Sequence, residues 1–250
     1  MKKISVIIPT YNSQETIATS LESIINQDYS DYEICIVDGN SNDNTINIIQ
    51  EYCRRFDFIK FLTEKDDGPY DAMNKGIDMS SGEWLLFLGS NDLIYENNTF
   101  QKIFTESIPE EIGLLYGSVM ILDDIIGLGK AGQIYDGEFN LDKLLQKNIC
   151  HQSIFYRRSL FKKLGKYNLK YPVCSDWEMN MRFFASTKVY YLDLTVAGFS
   201  GGGLSSIGEV KDPIHDELSS LKRKYFLNYL IYRKINRIFN SLFWFRRQNC

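Results

Sequence analysis

The sequence predicts an α/β protein in which helices flank a mainly parallel β-sheet and a helical tail follows at the carboxyl end. Apolar, β-branched runs alternate with amphipathic helical patterns through the first 97 residues, which is typical of parallel sheets. The apolar runs lack a period of two, and this indicates strands buried on both faces. With 250 residues, of which 44% are hydrophobic, the chain can bury the core of one globular domain.

In the first half, a predicted helix follows each of the first three predicted strands. The first helix begins after Asn12, and its apolar residues Ile17 and Leu21 lie one turn apart on one face. Right-handed crossovers through such helices make the strands parallel. The strands are predicted over residues 5–9, 33–38, 58–62 and 83–88, and the helices over residues 17–25, 46–53 and 72–79.

Beyond Asn97 the pattern is less regular. Asp123 and Asp124 separate two strand-like runs and predict a hairpin turn. The other predictions are antiparallel strands over residues 114–122 and 125–130, a short helix over 141–146, a strand and then a helix within 153–164, and helix from residue 216 onward.

Cysteine usage and hydropathy limit the class of protein. The five cysteines are odd in number, lie far apart and form no Cys-x-x-Cys pair, so neither a disulfide framework nor a zinc site is expected, which suits a reducing cytosol. Pro9 and Asn12 interrupt the amino-terminal apolar run, which therefore predicts a buried strand and not a signal peptide. No apolar run approaches the ~20 residues of a transmembrane helix.

Charge is divided unevenly along the chain. Residues 219–250 contain eight Lys or Arg and no Asp or Glu, while the residues before them carry a formal charge of −12. An aromatic and aliphatic stripe accompanies these cations, so the tail is predicted to be a basic amphipathic helix that lies on an anionic membrane surface. A helix that docks on its own domain would show the same stripe. Nucleic-acid binding is not expected, because the body is acidic and carries no known motif. The stripe consists of Tyr225, Tyr229, Tyr232, Ile235, Phe239 and Leu242.

Polar residues follow the predicted parallel strands, and ligands of open parallel sheets bind beyond these strand ends. Asp38 can accept a hydrogen bond from a uracil imide or from ribose hydroxyls, or it can cap the next helix. Tyr11 offers a ring face for a base, or packs inside the protein. The pattern therefore predicts a ligand site at this edge and leaves both roles open.

Four segments together resemble the nucleotide-binding half of the inverting family 2 glycosyltransferases of the GT-A fold. They are residues 4–12, 34–39, 67–76 and 84–92. The resemblance implies a Rossmann-like nucleotide-diphospho-sugar transferase, and the third segment is similar to a subgroup that builds bacterial O-antigen or capsule. The donor-binding residues that it implies are Pro9, Thr10, Tyr11, Asn12, Asp38, Asp71, Asn74, Lys75 and Asn91.

Two of these residues have an alternative explanation, and the metal site departs from the family pattern. Asp71 and Lys75 are expected near the donor phosphates, but their spacing also suits a solvated helix face. Relatives commonly carry an Asp-x-Asp that holds a cation, whereas this chain has Gly-Ser-Asn-Asp at residues 89–92. The resemblance implies Mn²⁺ or Mg²⁺ held by Asp92 with help from Asn91, because such ions need few protein carboxylates when phosphates supply oxygens. Otherwise Asp92 caps a turn.

The second half offers the group that would take a proton from the acceptor. An inverting transferase needs one carboxylate as the general base, and Asp176, followed by Arg182, resembles the base of the family. An Asp at a helix start also suits a helix N-cap, which is the alternative role for Asp176. The weaker acceptor-site residues are His151, Gln152, Trp177 and Glu178, where a lone histidine in apolar sequence is more often a core residue.

The function implied by the resemblance is inverting transfer of a sugar from a UDP-linked donor to a lipid-linked or free glycan, in the cytoplasm at the inner face of the bacterial membrane. We predict a catalytic domain over residues 1–218, with a nucleotide-binding half (1–97) and an acceptor half (98–218), and the tail over 219–250. The sequence does not predict an oligomeric state. A sugar-phosphate nucleotidyltransferase would need a Gly-rich, Arg-containing loop after the first strand, which is missing. A non-catalytic nucleotide- or glycan-binding module is the alternative that the reduced acidic motif suggests.

Overall fold

The computed structural model describes residues 2–125, 129–135, 137–201 and 211–248. Strands and helices alternate in the first half, as predicted, and both kinds of element continue through the middle of the chain. The strands are β1 (Ile4–Thr10), β2 (Tyr32–Asp38), β3 (Ile59–Thr63), β4 (Trp84–Phe87), β5 (Leu93–Ile94), β6 (Ile112–Ile121), β7 (Ile134–Tyr135), β8 (Ile154–Arg157) and β9 (Lys188–Phe199). The helices are α1 (Ile17–Ile25), α2 (Thr45–Arg55), α3 (Pro69–Met79), α4 (Thr99–Phe104), α5 (Leu141–Leu144), a 3₁₀ helix (His151–Ser153), α6 (Arg158–Leu164), α7 (Ser175–Phe184) and α8 (Ile214–Gln248).

The described strands form one mixed sheet in the order β3-β2-β1-β4-β8-β6-β9-β5, and β7 pairs with β6. Strands β1 to β4 are mutually parallel where they pair. Strand β8 runs antiparallel to both β4 and β6, whereas β6 and β9 are parallel. The predicted fold class, a mainly parallel sheet with flanking helices, is confirmed.

The strands β1, β2 and β4 are buried on both faces, which explains their continuous apolar runs. Every residue of β1 and β2 is buried, and the side chains of α1 and α2 pack with these strands in one apolar core. On α3, Gly76 permits close packing, because a Cβ atom there would lie 2.4 Å from Cγ2 of Ile7 on β1. The helices therefore fix the strands whose ends form the site described below.

The predicted hairpin partner of β6 was misplaced. Residues 126–128 of the predicted strand lie outside the described residues, and Ile125 and Gly129 form an isolated bridge. The next strand along the chain after β6, which pairs with it antiparallel, is instead β7, at Ile134–Tyr135. Strand β9 was not predicted; it joins β6 across more than sixty residues, a pairing that no local pattern specifies.

The chain divides into two compact units, Met1–Asp212 and Pro213–Cys250. The second unit contains α8, which is interrupted at Phe226, where φ is −131° and ψ is 26°. The predicted domain limits at residues 97 and 218 stay predictions. Within the described residues, no helix is both long and apolar enough to cross a membrane.

Candidate active site

The predicted site residues gather at one edge of the sheet, where β1 to β4 end; we call it the carboxyl edge. Because β8 is antiparallel to β4, β8 begins at this same edge. The 3₁₀ helix (His151–Ser153) immediately precedes β8 and therefore lies at the ends of the parallel strands. Strand pairing thus brings the two halves of the chain together at the position where parallel sheets bind ligands.

The loop after β1 is fixed against the loop after β2. Asn12 adopts a left-handed conformation with φ of 49°, which asparagine tolerates better than most residues. Its backbone N–H donates to Ser41 Oγ at 2.8 Å, and its Oδ1 accepts from the Asn42 N–H at 3.0 Å. Tyr11 is 59% exposed, so its ring is available to a ligand, while Pro9 and Thr10 are buried in β1.

Asp38 is fully buried and its carboxylate is bonded inside the protein. Oδ2 accepts from the Ser41 N–H at 2.9 Å and from Thr63 Oγ1 at 2.8 Å, and Oδ1 accepts from Ser41 Oγ. These bonds hold the loop after β2 against the end of β3. The turn-forming role left open by the sequence is therefore the one with contacts in this structure, and nucleotide binding by Asp38 stays a prediction.

Asp66 is a carboxylate that the sequence reasoning missed at this edge. A Cβ atom on Gly39 would lie 2.7 Å from Asp66 Oδ2, so the glycine after β2 leaves the space that this carboxylate fills. Burial raises the pKa of Asp66, against the opposing effect of the hydrogen bond from the Gly68 N–H. The signal in the sequence was an acidic residue just beyond β3, at the same edge as Asp38.

The predicted donor-binding residues of α3 also have internal partners. Asn74 makes two hydrogen bonds of 3.0 Å with the backbone of Tyr167, one as donor and one as acceptor. Lys75 Nζ lies 2.9 Å from Glu64 and 3.2 Å from Asp71. The amide of Asn74 therefore anchors a distant loop, and two carboxylates hold the ammonium of Lys75.

Asp92 lies buried after β4 and joins two distant segments. Its Oδ2 accepts from Gln152 Nε2 at 3.0 Å, and its Oδ1 accepts from the Ser200 N–H at 3.0 Å. Its neighbour Asn91 donates to the carbonyl oxygen of Gly201 at 2.9 Å. Burial raises the pKa of Asp92, although both donors favour the ionised form.

A divalent cation would find one buried carboxylate here. Among the residues that the structure describes, no three His, Cys, Asp or Glu side chains are grouped so as to hold a metal ion. A carboxylate has about four lone-pair sites, so the bonds to Gln152 and Ser200 leave Asp92 able to accept a ligand. Because Mg²⁺-type ions are often held by one or two carboxylates plus substrate phosphates, Asp92 fits such an ion.

Asp176, in the first turn of α7, is held from three directions. Its Oδ1 lies 2.9 Å from the Tyr70 hydroxyl and accepts from the Trp177 N–H at 2.8 Å. Its Oδ2 lies 3.3 Å from His151 Nδ1. Side-chain exposures of 14% for Asp176 and 20% for His151 leave this pair accessible at the surface of the site.

Consecutive residues of the 3₁₀ helix thus contact both predicted functional carboxylates. His151 contacts Asp176, and Gln152 contacts Asp92. The preceding residue, Cys150, lies within the electrostatic influence of both carboxylates. Burial raises the pKa of its thiol, and the negative charges of Asp92 and Asp176 raise that pKa further. The short segment 150–152 therefore places the two carboxylates in one site.

Trp177 and Glu178, two of the weaker acceptor-site predictions, have structural partners. Trp177 Nε1 donates to the carbonyl oxygen of Leu144 at 2.8 Å. Glu178 is buried and pairs with Arg182 at 3.0 Å, and Arg182 also donates to backbone carbonyls of residues 164–166. These contacts hold α7 in place, and acceptor binding by either residue stays a prediction.

Tyr70 and Asp212 are further site-supporting residues that the sequence reasoning missed. Asp212 Oδ2 accepts from the N–H groups of Val173 and Cys174 at 2.8 and 2.9 Å, just before α7. No local pattern identifies Asp212, whereas Tyr70 lies inside the segment 67–76 that carries the family resemblance.

The mixed α/β sheet, with Asp92 and Asp176 both contacted by one short segment at its carboxyl edge, is the arrangement expected of a GT-A transferase. The family model described as glycosyl transferase family 2 matches residues 5–165, more than half of the chain. The chain therefore belongs to glycosyl transferase family 2, and it is an enzyme of that family.

Two curated relatives place the chain among bacterial enzymes. A "PGL/p-HBAD biosynthesis glycosyltransferase" of Mycobacterium bovis is 39% identical over 210 residues, which cover 81% of this chain and 78% of that protein. The "GalNAc(5)-diNAcBac-PP-undecaprenol beta-1,3-glucosyltransferase" of Campylobacter jejuni is 39% identical over 94 residues, which cover 37% of this chain and 30% of that protein.

Solved structures of similar fold include a sugar-nucleotide complex. Staphylococcus aureus TarS 1-349 with UDP-GlcNAc superposes with a TM-score of 0.69 at 21% identity, over 89% of this chain and 65% of that one. The mannosyltransferase PcManGT of Pyrobaculum calidifontis, with GDP-Man and Mn²⁺, gives a TM-score of 0.61 at 15% identity, over 90% and 69%. At these identities the likeness establishes the fold alone.

Proposed function

We propose that this enzyme transfers a sugar from a UDP-linked donor, with inversion at the anomeric carbon, to a glycan carried on a polyprenyl diphosphate. The product would be a bacterial surface polysaccharide. The observation that carries this proposal is the contact of His151 with Asp176 and of Gln152 with Asp92. One short segment thereby couples a candidate base to a candidate cation ligand, and inverting transfer uses both kinds of group.

The donor is proposed from the carboxyl edge and from the neighbours. Tyr11 presents an exposed ring at the end of β1, and Asp66 presents a carboxylate beside Gly39 at the ends of β2 and β3. An aromatic face and a hydrogen-bond acceptor suit a uracil ring and its imide. That TarS has been solved with UDP-GlcNAc supports a UDP-linked sugar here.

In the proposed reaction, Asp176 removes the proton of an acceptor hydroxyl as that oxygen attacks the anomeric carbon. The new carbon–oxygen bond forms on one face of the sugar while the bond to the diphosphate breaks on the other, and its electron pair leaves with the diphosphate. Attack opposite the leaving group inverts the configuration. Since Oδ1 of Asp176 already receives the Trp177 N–H, Oδ2 beside His151 is the oxygen that takes the proton.

Asp92 is the residue proposed to hold Mn²⁺ or Mg²⁺, with Asn91 next to it fixing the loop. When bound, such an ion would neutralise charge that develops on the leaving diphosphate. Lys75 is proposed near the same phosphates, where Glu64 and Asp71 orient its ammonium at 2.9 and 3.2 Å. The Mn²⁺ complex of PcManGT supports the cation.

The acceptor and location are proposed from the tail and from a relative. Arg223 and Lys224 of α8 are exposed, and Leu227 and Ile231 are 53% and 49% exposed. Exposed cations next to exposed apolar side chains suit an anionic membrane interface, so we place the enzyme in the cytoplasm at the inner face of the membrane. The undecaprenol-linked substrate named for the Campylobacter relative supports a lipid-linked acceptor.

Asp176→Asn tests the proposal. The amide keeps the shape of the side chain but cannot take the proton, so transfer falls by roughly 10²–10⁴-fold while UDP binding by calorimetry is unchanged. The matched control is Asp193→Asn, because Asp193 is exposed on β9 and has no role in the proposal. Anomeric analysis of the product by NMR checks inversion. Turnover by Asp176→Asn close to wild type would remove Asp176 from the mechanism.

A further inference from the structure

The hydroxyl of Tyr70 has two acceptors and a single proton. Its oxygen lies 2.7 Å from the carbonyl oxygen of Val173 and 2.9 Å from Oδ1 of Asp176. A phenol has one O–H, and neither neighbour is a donor when Asp176 is ionised. The proton can therefore satisfy one of the two oxygens fully at any time.

We propose that Tyr70 is a positioning residue whose hydroxyl turns between Asp176 and the Val173 carbonyl as the base is ionised and protonated. A charged acceptor makes the stronger hydrogen bond, so ionised Asp176 draws the proton of Tyr70. After Asp176 Oδ2 has taken the acceptor proton, that charge is gone, and the hydroxyl turns to Val173. Oδ1 keeps its bond from the Trp177 N–H throughout.

The surroundings keep Tyr70 protonated, so its hydroxyl donates a hydrogen bond and does not give up its proton. Its side chain is buried, and burial together with the charge of Asp176 raises its pKa well above the usual value. Burial likewise raises the pKa of each neighbouring group that the charge of Asp176 also affects. These groups are Tyr135, Cys150, Tyr156, Tyr167 and Cys174, and His151 is the further titratable group in contact.

The arrangement assigns the two oxygens of Asp176 different tasks. Tyr70 and the Trp177 N–H fix Oδ1, which orients Oδ2 toward the side of His151. Before transfer, the hydrogen bond from the Tyr70 hydroxyl favours ionised Asp176. When Asp176 is protonated, the same hydroxyl donates to the Val173 carbonyl. This inference rests on the proposed function, because it assumes that Asp176 is the base.

The aromatic cluster supplies a matched pair of variants. Tyr167 packs against Tyr70 with ring centroids 5.1 Å apart, and its hydroxyl is buried without a hydrogen-bond partner in the described part of the chain. Tyr70→Phe and Tyr167→Phe thus remove the same atom from neighbouring buried rings. A hydrogen bond to a charged group, shared here with Val173, predicts a loss of kcat of about tenfold for Tyr70→Phe, with the donor KM unchanged.

The pH profile separates this role from simple packing. In Tyr70→Phe the acidic limb of the plot of kcat against pH moves to higher pH, whereas in Tyr167→Phe it stays in place. Both variants are measured at temperatures below their unfolding midpoints. Should Tyr70→Phe not fold, 3-fluorotyrosine at position 70 keeps the ring and strengthens the donor, and the limb then moves to lower pH. An unmoved limb in the folded Tyr70 variant overturns the inference.

Asp176→Asn distinguishes the two proposals. If this variant is inactive and the profile of the Tyr70 variant is unmoved, the proposed function stands and the inference about Tyr70 fails. If Asp176→Asn retains wild-type turnover, the proposed function itself fails, and the inference fails with it.

Discussion

Each edge of the sheet buries a carboxylate, but the pKa values of the two carboxylates are shifted in opposite directions. At the amino edge, where β1 to β4 begin, Glu33 is bonded by Lys60 at 2.7 Å, by Ser5 Oγ at 2.7 Å and by the Ser81 N–H at 2.5 Å. Burial raises the pKa of Glu33, but these bonds outweigh it and lower the pKa to about 2.

At the carboxyl edge, Asp92 is equally buried but receives its two hydrogen bonds from neutral donors. No lysine or arginine pairs with it within the described residues, and burial leaves its pKa raised. The amino edge therefore adds stability to the fold, whereas the carboxyl edge keeps a reactive group. A buried carboxylate whose charge is balanced by a cation and several hydrogen bonds stabilises the protein. A buried carboxylate with neutral donors alone remains able to bind a cation or a proton.

The largest effect expected from this comparison is on activity. Asp92→Asn removes the charge that would face a cation, so transfer falls by about 10²-fold or more. The unfolding midpoint does not fall, because the variant no longer buries an under-compensated charge. Activity assays with and without EDTA, alongside thermal unfolding, measure both. Undiminished transfer in EDTA would assign charge neutralisation to side chains such as Lys75.

The converse variant, Glu33→Gln, should spare activity and cost stability. Removing the charge leaves Lys60 unpaired, so the free energy of unfolding at pH 7 drops by roughly 2 kcal/mol, after allowance for the exposed lysine. Because the folded pKa of about 2 lies below the ordinary glutamate pKa of 4.5, this stability is present above pH 4.5 and is lost as the pH falls toward 2. Denaturant unfolding from pH 7 to 3 should therefore show a shallower acid loss in Glu33→Gln, and equal slopes would contradict the comparison.

The smallest effect concerns the tail, which belongs to the second compact unit. Arg223→Ala with Lys224→Ala removes two exposed cations, each worth about 1 kcal/mol near an anionic surface, so binding to anionic vesicles at low salt weakens roughly thirtyfold. The control pair is Lys162→Ala with Lys163→Ala, two exposed cations on α6. Vesicle co-sedimentation measures both pairs. If full-length protein ignores anionic vesicles, the tail is a docking helix and the membrane proposal fails.

Local sequence patterns predicted the first half of the fold well, because its strands are short apolar runs and its helices are amphipathic. The same patterns predicted a strand over residues 125–130, whereas β6 pairs with β7. They also missed β9, whose partners are distant in the chain. Strand partners depend on contacts between remote segments, and neither propensity nor periodicity carries that information.

For the site, residue type and motif alone identify the candidate side chains, which are Asp92, His151, Gln152 and Asp176. The partners of these side chains depend on the folded chain. The contact between Gln152 and Asp92 joins residues 60 positions apart, and that between Tyr70 and Asp176 joins residues 106 positions apart. Burial and hydrogen bonding set the chemistry of each carboxylate, and both arise only when the sheet brings these distant segments to one edge.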